Sequence, residues 1–433
     1  MPKRKEHMLN RFDPPALKSI DEIQIEKPES LVFKNGLQVF LFHAPEQELL
    51  KAEFVFKNLF EKPENPTRNS ALSSMLKEGT IKLSSAEIAS QIDFYGAYLV
   101  PEFSYDHNAL TLYTLNKHVH SVLPVVHEVL TAAQIPQKEL DTYIRNNKQS
   151  LQISLEKSDF VARRAFYNQL FGNTRYGRSV TEGILDGLTR SDLTQLYKKQ
   201  IQPQNGVLFL SGNISEETLD LFRNYFENQW DGTESLEYTP FQSEGSQFLD
   251  LQVIQKPDAM QSSIRLGKVS IQRTHPDYPA LQFVNTMFGG YFGSRLMGNI
   301  REDKGYTYSI GSMLANLNHA GFLSISTDVG TEYTKATLAE IQKEIEKLQQ
   351  EKASEKEMEL VRNYMLGSML GSLESIFSHV DKFKSVFFSG LDLGYYHNYT
   401  EIIKEITPEQ VQDLAQQYLG FDDMLKVVVG EVK

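Results

Sequence analysis

A metal site in this chain would have to use histidine, aspartate or glutamate, because the sequence has ten histidines and no cysteine. The densest group is His118 and His120 with the pair His127-Glu128. A zinc-binding helix of the His-Glu-x-x-His type presents two imidazoles four residues apart. His127 would therefore need a second histidine at position 131, where the sequence has Thr131. We predict that these histidines are solvated and that they hold no metal.

Composition excludes several classes of partner. The chain carries 44 Lys and Arg against 56 Asp and Glu, which gives a formal net charge of −12. A charge of this sign repels phosphate backbones and anionic lipids, and no apolar run approaches the ~18 residues that a membrane span needs. We expect neither nucleic acid nor a membrane as partner. Because no apolar segment follows the basic residues near the N-terminus, we expect a cytoplasmic protein.

Residue patterns predict the elements that would position functional side chains. Strands are indicated where apolar residues alternate or cluster beside turn residues, and helices where apolar residues recur at three- and four-residue spacings. A capping signal, Ser84 or Ser85 followed by Glu87, marks the start of one helix. The predicted strands are 36–42, 52–56 and 107–113, and the predicted helices are 67–77 and 85–95.

The chain also repeats itself at an offset of 218 residues. Glu139 corresponds to Glu357 at this offset, and the register holds without a gap to Gly212 and Gly430 at the ends of two apolar segments. Agreement over some 75 residues indicates two similar halves, although two ordinary helix-plus-strand endings could also coincide.

The repeat and the composition divide the chain. Its 433 residues exceed the ~100–200 of a typical domain. We predict an N-terminal arm (1–30), an N-terminal half (31–230), a polar linker (231–248) and a C-terminal half (249–433).

The segment Asn69 to Thr80, NSALSSMLKEGT, resembles the zinc-site helix of the M16 metallopeptidases, the insulinase and mitochondrial-processing-peptidase family. In that family the helix carries His-x-x-Glu-His. The corresponding histidine and glutamate positions here are Ser70, Ser73 and Ser74. A serine hydroxyl is a poor zinc ligand and a poor general base. The resemblance therefore implies that the catalytic residues are absent from this chain.

The family's third zinc ligand is a glutamate about 75 residues further on. The corresponding stretch, Asn146 to Leu151, contains no carboxylate, although Glu139, Asp141 and Glu156 flank it. We expect no cofactor in this chain, and zinc only in a partner chain.

The segment Phe288 to Ser312, FGGYFGSRLMGNIREDKGYTYSIGS, is the stretch most similar to the family. The resemblance implies that Arg301 and Tyr308 bind and polarise the carbonyl of a peptide substrate. Periodicity alone would also allow Tyr306, which shares a strand face with Tyr308. Without the resemblance, Arg301 reads as a surface residue paired with Glu302 or Asp303, and Tyr308 as a half-buried strand aromatic.

One further departure concerns the strand that pairs with substrate in the family. Members usually have Asn-Ala after Gly-x-x-Leu, whereas this chain has Val100 and Pro101 after Leu99. Proline has no amide donor, so peptide pairing at this edge is in doubt.

The resemblance covers about 31–432 and implies an α+β fold, in which two similar halves, each a mainly antiparallel sheet backed by helices, enclose a chamber. It implies a non-catalytic subunit of a heterodimeric zinc peptidase, with a zinc-bearing M16 chain as partner, a peptide as substrate and a possible homodimer in isolation. The alternative is an inactive scaffold or peptide-binding protein. An active peptidase with a different metal site is the least favoured reading.

Overall fold

The computed structural model describes residue 20 and residues 23–60, 65–232, 241 and 250–432. Most of the predicted arm and most of the predicted linker lie outside these residues. The described residues form two sheets, one in each predicted half.

The N-terminal sheet has six strands in the order β1-β2-β6-β3-β5-β4. All neighbours are antiparallel except β2 and β6, which are parallel. The strands are β1 (Glu29–Val32), β2 (Gln38–His43), β3 (Leu49–Lys57), β4 (Tyr98–Phe103), β5 (His107–Leu115) and β6 (Gly206–Gly212). The helices of this half are α1 (Pro66–Met75), α2 (Ser85–Phe94), α3 (Val119–Ala132), α4 (Gln137–Leu155), α5 (Ser158–Phe171), α6 (Glu182–Asp186), α7 (Arg190–Gln200) and α8 (Glu216–Phe226).

The C-terminal sheet has five strands in the order β7-β11-β8-β10-β9, and only β7 and β11 are parallel. The strands are β7 (Leu251–Gln255), β8 (Gln261–Ser270), β9 (Thr307–Asn316), β10 (Gly321–Gly330) and β11 (Leu425–Gly430). The helices are α9 (Tyr278–Asn285), α10 (Thr334–Gln350), α11 (Glu355–Gly371), α12 (Ile376–Phe387), α13 (Gly394–Glu405) and α14 (Pro408–Tyr418), together with π-helical segments at Thr286–Gly290 and Met297–Asp303.

The two sheets have the same topology apart from the extra edge strand β1. Both ends of α7 and α14 are 218 residues apart, and each helix is N-capped by a threonine, Thr189 or Thr407. Gly172 and Gly390, also at this offset, both have positive φ (57° and 73°). The predicted α+β class, with two mainly antiparallel sheets backed by helices, is confirmed.

The halves exchange helices. Helix α5 of the N-terminal half packs on β8 and β11 of the C-terminal sheet, while α12 packs on β2 and β6 of the N-terminal sheet. On one side Phe166 and Phe171 pack with Phe322. On the other, the ring of Phe383 lies 4.8 Å from that of Phe40 between centroids. Each half therefore completes the core of the other.

A buried polar cluster also joins the halves. Asp106 accepts hydrogen bonds from Tyr176 Oη at 2.8 Å and from Asn318 N at 3.3 Å, and it forms an ion pair with Arg175. Burial and the adjacent Asp106 carboxylate raise the pKa of Tyr176, so its hydroxyl remains a donor. Lys384 of α12 binds Glu53 of β3 at 2.6 Å.

The described part of the predicted arm lies on the C-terminal half. Ile23 and Ile25 pack against the buried residues Met369 and Tyr396, and Glu26 N donates to His379 Nδ1 at 3.1 Å. Within the described part of the chain, no helix is both long and apolar enough to cross a membrane.

We predict that Asp106→Asn lowers the free energy of unfolding by about 3 kcal/mol, because removing one partner of a buried ion pair leaves an uncompensated charge. Urea denaturation monitored by circular dichroism measures the change. Asp220→Asn is the matched control, since its pair with Arg223 (3.3 Å) is exposed and should contribute at most about 1 kcal/mol. Equal losses in the two variants would contradict a role for the cluster.

We also predict that His107 makes the fold sensitive to acid. The pKa of His107 is lowered to about 4. Burial is the largest cause; Asp106 opposes it by raising the pKa, and Lys57 and His319 act in the same direction as burial. Below pH ~6.5 the unfolded state binds a proton that the folded state does not, so stability falls as the pH drops from about 6.5 to 4. The variant His107→Gln should lose less stability between pH 7 and pH 5 than the parent in urea titrations. The exposed residue His120, changed to Gln, is the control, and an identical pH slope for parent and His107→Gln would refute this origin.

Candidate functional site

The serine cluster Ser70, Ser73 and Ser74 lies on α1, which begins at Pro66 and is capped by Asn65. Ser73 is buried. Ser70 Oγ donates to the carbonyl oxygen of Thr67 at 3.0 Å, and Ser74 Oγ donates to that of Ser70 at 3.1 Å. Two of the three hydroxyls are thus engaged by the backbone of their own helix.

Tyr143 of α4 faces this cluster. Its Oη lies 3.4 Å from Ser70 Oγ, and its carbonyl oxygen accepts from Asn147 Nδ2 at 2.9 Å. Burial raises the pKa of Tyr143, against a lowering by hydrogen bonds from Ser70 and Ser74, so the phenol is neutral near pH 7. Sequence reasoning missed Tyr143, because its contact with Ser70 joins residues 73 apart in the chain.

The described residues contain no group of three His, Cys, Asp or Glu side chains that could hold a metal ion. His127 Nε2 lies 3.2 Å from the carbonyl oxygen of Gln229. The segment Lys117–His120, whose flanking position suggests a loop, is only partly irregular: α3 begins at Val119, after a 3-10 turn at Asn116–His118.

Arg301 lies in the π-helical segment Met297–Asp303, which two polar contacts fix to neighbouring helices. Asn299 Nδ2 donates to Glu340 at 2.8 Å and to Glu344 at 2.7 Å, both on α10. Arg295, two residues before the segment, makes a bidentate ion pair with Glu357 of α11 at 2.8 and 2.9 Å. The backbone that carries Arg301 is therefore held in place.

A tight turn connects this segment to β9. Gly305 has φ +67°, a conformation that favours glycine. Its amide donates to the carbonyl oxygen of Arg301 at 3.1 Å, and the amide of Tyr306 donates to that of Ile300 at 3.0 Å. The turn brings Tyr308, the second residue of β9, beside Arg301.

The Arg301 guanidinium lies between two aromatic rings. Its Cζ is 4.5 Å from the ring centroid of Phe292 and 5.5 Å from that of Tyr308, which are cation–π distances. Its Nη1 is buried and has no hydrogen-bond partner. Both rings are largely exposed, Phe292 at 64% and Tyr308 at 87%. The arrangement places a buried N–H donor that has no acceptor beside two exposed aromatic rings.

The structure distinguishes the alternative roles that the sequence left for Arg301, Tyr306 and Tyr308. No ion pair joins Arg301 to Glu302 or Asp303 among the described residues. Tyr306 stacks on Tyr333 instead, with centroids 4.7 Å apart, and Tyr308 is exposed rather than half-buried. Phe292 was not identified from the sequence.

The two candidate groups use different partners. The serine cluster contacts α1 and α4, and Arg301 contacts Phe292 and Tyr308. Pro101 lies in β4, the outermost strand of the N-terminal sheet, and Tyr308 lies in β9, the outermost strand of the C-terminal sheet. An edge strand can pair with an extended peptide, but proline supplies no amide for this.

The family model for the peptidase M16 inactive domain matches residues 187–365. This range contains Arg301 and Tyr308 and excludes the serine cluster. The chain is 25% identical over 373 residues to the uncharacterized zinc protease YmxG of Bacillus subtilis, which covers 85% of this chain and 89% of that protein. It is 23% identical over 370 residues to the non-peptidase homolog YmxG of Helicobacter pylori, covering 83% and 84%.

Among solved structures, the peptidase M16 inactive domain from Pseudomonas fluorescens matches with a TM-score of 0.82 at 21% identity, covering 94% of this chain and 98% of that one. At this identity the match shows the fold alone. The matches agree with a non-catalytic M16-like protein.

We predict that the purified chain binds no stoichiometric zinc, because the helix offers neutral hydroxyls in place of imidazoles. Equilibrium dialysis against Zn²⁺ with metal analysis by mass spectrometry measures this. The variant Ser70→His/Ser74→His places two imidazoles four residues apart on α1 and should gain measurable affinity. One zinc per unmodified chain, lost on dialysis against a chelator, would contradict the prediction.

Proposed function

We propose that this chain, which is similar to M16 peptidases in sequence and fold, is the non-catalytic subunit of a heterodimeric zinc peptidase. It contributes Arg301 and Tyr308 to the zinc site of a partner chain. The zinc and the activated water belong to that partner, and this chain holds the substrate carbonyl and helps to close the chamber.

The observation that carries this proposal is the unpartnered Nη1 of Arg301. A buried N–H without an acceptor is unfavourable, and a ligand oxygen at that position would relieve it. Phe292 and Tyr308 lie at cation–π distances from this guanidinium, which favours one position of the side chain. A preorganised donor of this kind stabilises a carbonyl oxygen as negative charge develops on it.

The substrate we propose is a peptide in extended conformation. Tyr308 lies on an edge strand, where an added strand could pair, and the net charge of −12 disfavours nucleic acid.

Matching element bounds at the 218-residue offset support the proposal that the halves arose by internal duplication. In isolation the chain would form a homodimer through the surface that meets the partner.

The second candidate is an inactive scaffold or peptide-binding protein of the same fold. The loss of all three motif residues at Ser70, Ser73 and Ser74 favours it as much as the first candidate. The side chains of Arg301 and Tyr308 distinguish the two candidates. A scaffold does not need an arginine whose N–H has no hydrogen-bond acceptor.

We predict that peptidase activity appears when this chain is mixed with a zinc-bearing M16 chain encoded beside it, and not with this chain alone. Arg301→Ala should lower kcat/KM of the mixture about a hundredfold, as expected for loss of one oxyanion donor, and Tyr308→Phe should lower it in the same direction. A fluorogenic peptide library provides the assay.

Two matched variants serve as controls. Arg190→Ala removes an exposed arginine at the start of α7, and Tyr306→Phe removes the hydroxyl of the tyrosine that stacks on Tyr333. Both should leave activity unchanged. A stable complex with no gain in activity would favour the scaffold, and zinc-dependent activity of this chain alone would overturn both candidates.

A further inference from the structure

A cavity of about 580 Å³ lies in the C-terminal half, away from the serine cluster and from Arg301. Most of its lining residues come from α9, α11, α12 and α13, and they include five tyrosines. Two cationic side chains, Arg273 and Lys382, also line it. Among the described residues, Asp381 is the one other charged residue of the lining. The volume suits a ligand of a few residues or a small organic molecule.

Arg273 is held rigidly at the cavity wall. Its Nη1 donates to the carbonyl oxygen of Ser385 at 2.6 Å and also contacts Ser385 Oγ, and its backbone amide donates to Asn316 Oδ1 at 2.7 Å. Its Nε is buried and has no hydrogen-bond partner. One donor of a fixed guanidinium therefore remains without an acceptor.

Lys382 adds a second positive charge. Burial and the nearby Arg273 lower its pKa, whereas Asp381 raises it. The Asp381 carboxylate is engaged elsewhere, at 3.0 Å from Lys384 Nζ and 3.7 Å from Lys51 Nζ. Those two lysines also bind Glu53, so the four groups balance one another. Arg273 and Lys382 thus give the cavity an excess of positive charge.

The tyrosines contribute aromatic rings and neutral hydroxyls to the walls. Burial raises the pKa of Tyr395 and of Tyr399, so neither becomes an anion near neutral pH. Arg273 also lies over the ring of Tyr395, at 5.8 Å from its centroid. Partial burial of the two cations beside these rings strengthens their attraction for an anion.

We propose that this cavity is a binding site for a carboxylate-bearing ligand, held between Arg273 Nε and the Lys382 ammonium. A carboxylate has two oxygens for these two donors, and inorganic phosphate is the competing anion in the test because a guanidinium binds both. The carboxylate could belong to a small organic acid or to the C-terminus of a peptide. This site lies in the chain itself and does not depend on a zinc-bearing partner.

The test is isothermal titration calorimetry of the full chain with four probes: N-acetyl-trialanine, its C-terminal amide, N-acetylalanine and inorganic phosphate. We expect saturable binding of the carboxylate probes and at least about tenfold weaker binding of the amide. Tighter binding of the tripeptide than of N-acetylalanine would identify a peptide terminus, and equal binding a small acid. Equal binding of carboxylate and amide, or tighter binding of inorganic phosphate than of any carboxylate, would overturn the proposal.

Variants link the binding to the cavity. Lys382→Gln should weaken carboxylate binding about tenfold or more, the range for a lost charged hydrogen bond, and Lys382→Arg should retain most of it. Lys356→Gln removes an exposed lysine of α11 and is the control. Thermal unfolding of each variant establishes that it is folded. Unchanged affinity in folded Lys382→Gln would place the ligand elsewhere.

Discussion

A sheet buried on both faces needs cover on both, and in this protein each half covers only one face with its own helices. On β2 and β6, Val39, Leu41 and Leu208 point into the core of their own half, while the intervening Phe40 and Phe209 point the other way. Helix α12 of the other half covers these phenylalanines, and α5 does the same for the C-terminal sheet. Helix α12 also lines the cavity of the C-terminal half, so the shape of that cavity depends on this reciprocal packing.

The serine cluster shows how a metal site can be absent without damage to the helix around it. Imidazole and carboxylate side chains must be balanced by a cation or by water. Here the hydroxyls of Ser70 and Ser74 bind carbonyl oxygens of α1, and the neutral phenol of Tyr143 faces them. With serines at these three positions, local hydrogen bonds stand in place of charged groups, and α1 still packs on its sheet.

Sequence periodicity placed the strands and helices well where one face was apolar. Helix 67–77 was observed at Pro66–Met75, and strand 107–113 at His107–Leu115. The exchange of α5 and α12 was not predictable, since an amphipathic pattern does not say which sheet a helix covers. Tyr143 and Phe292 were missed for a similar reason: their contacts join residues distant in sequence or depend on a loop, and neither has a spacing that a single chain reveals.

The reciprocal packing also has a consequence for how the chain holds together. One covalent connection, near residues 231–250, joins the halves. Apolar packing joins them in two further places, where α5 packs on the C-terminal sheet and where α12 packs on the N-terminal sheet. A single cut in the connecting segment would remove one covalent link and leave both helices on their sheets. The two fragments would then behave as a non-covalent pair, and each fragment alone would expose a sheet face to solvent.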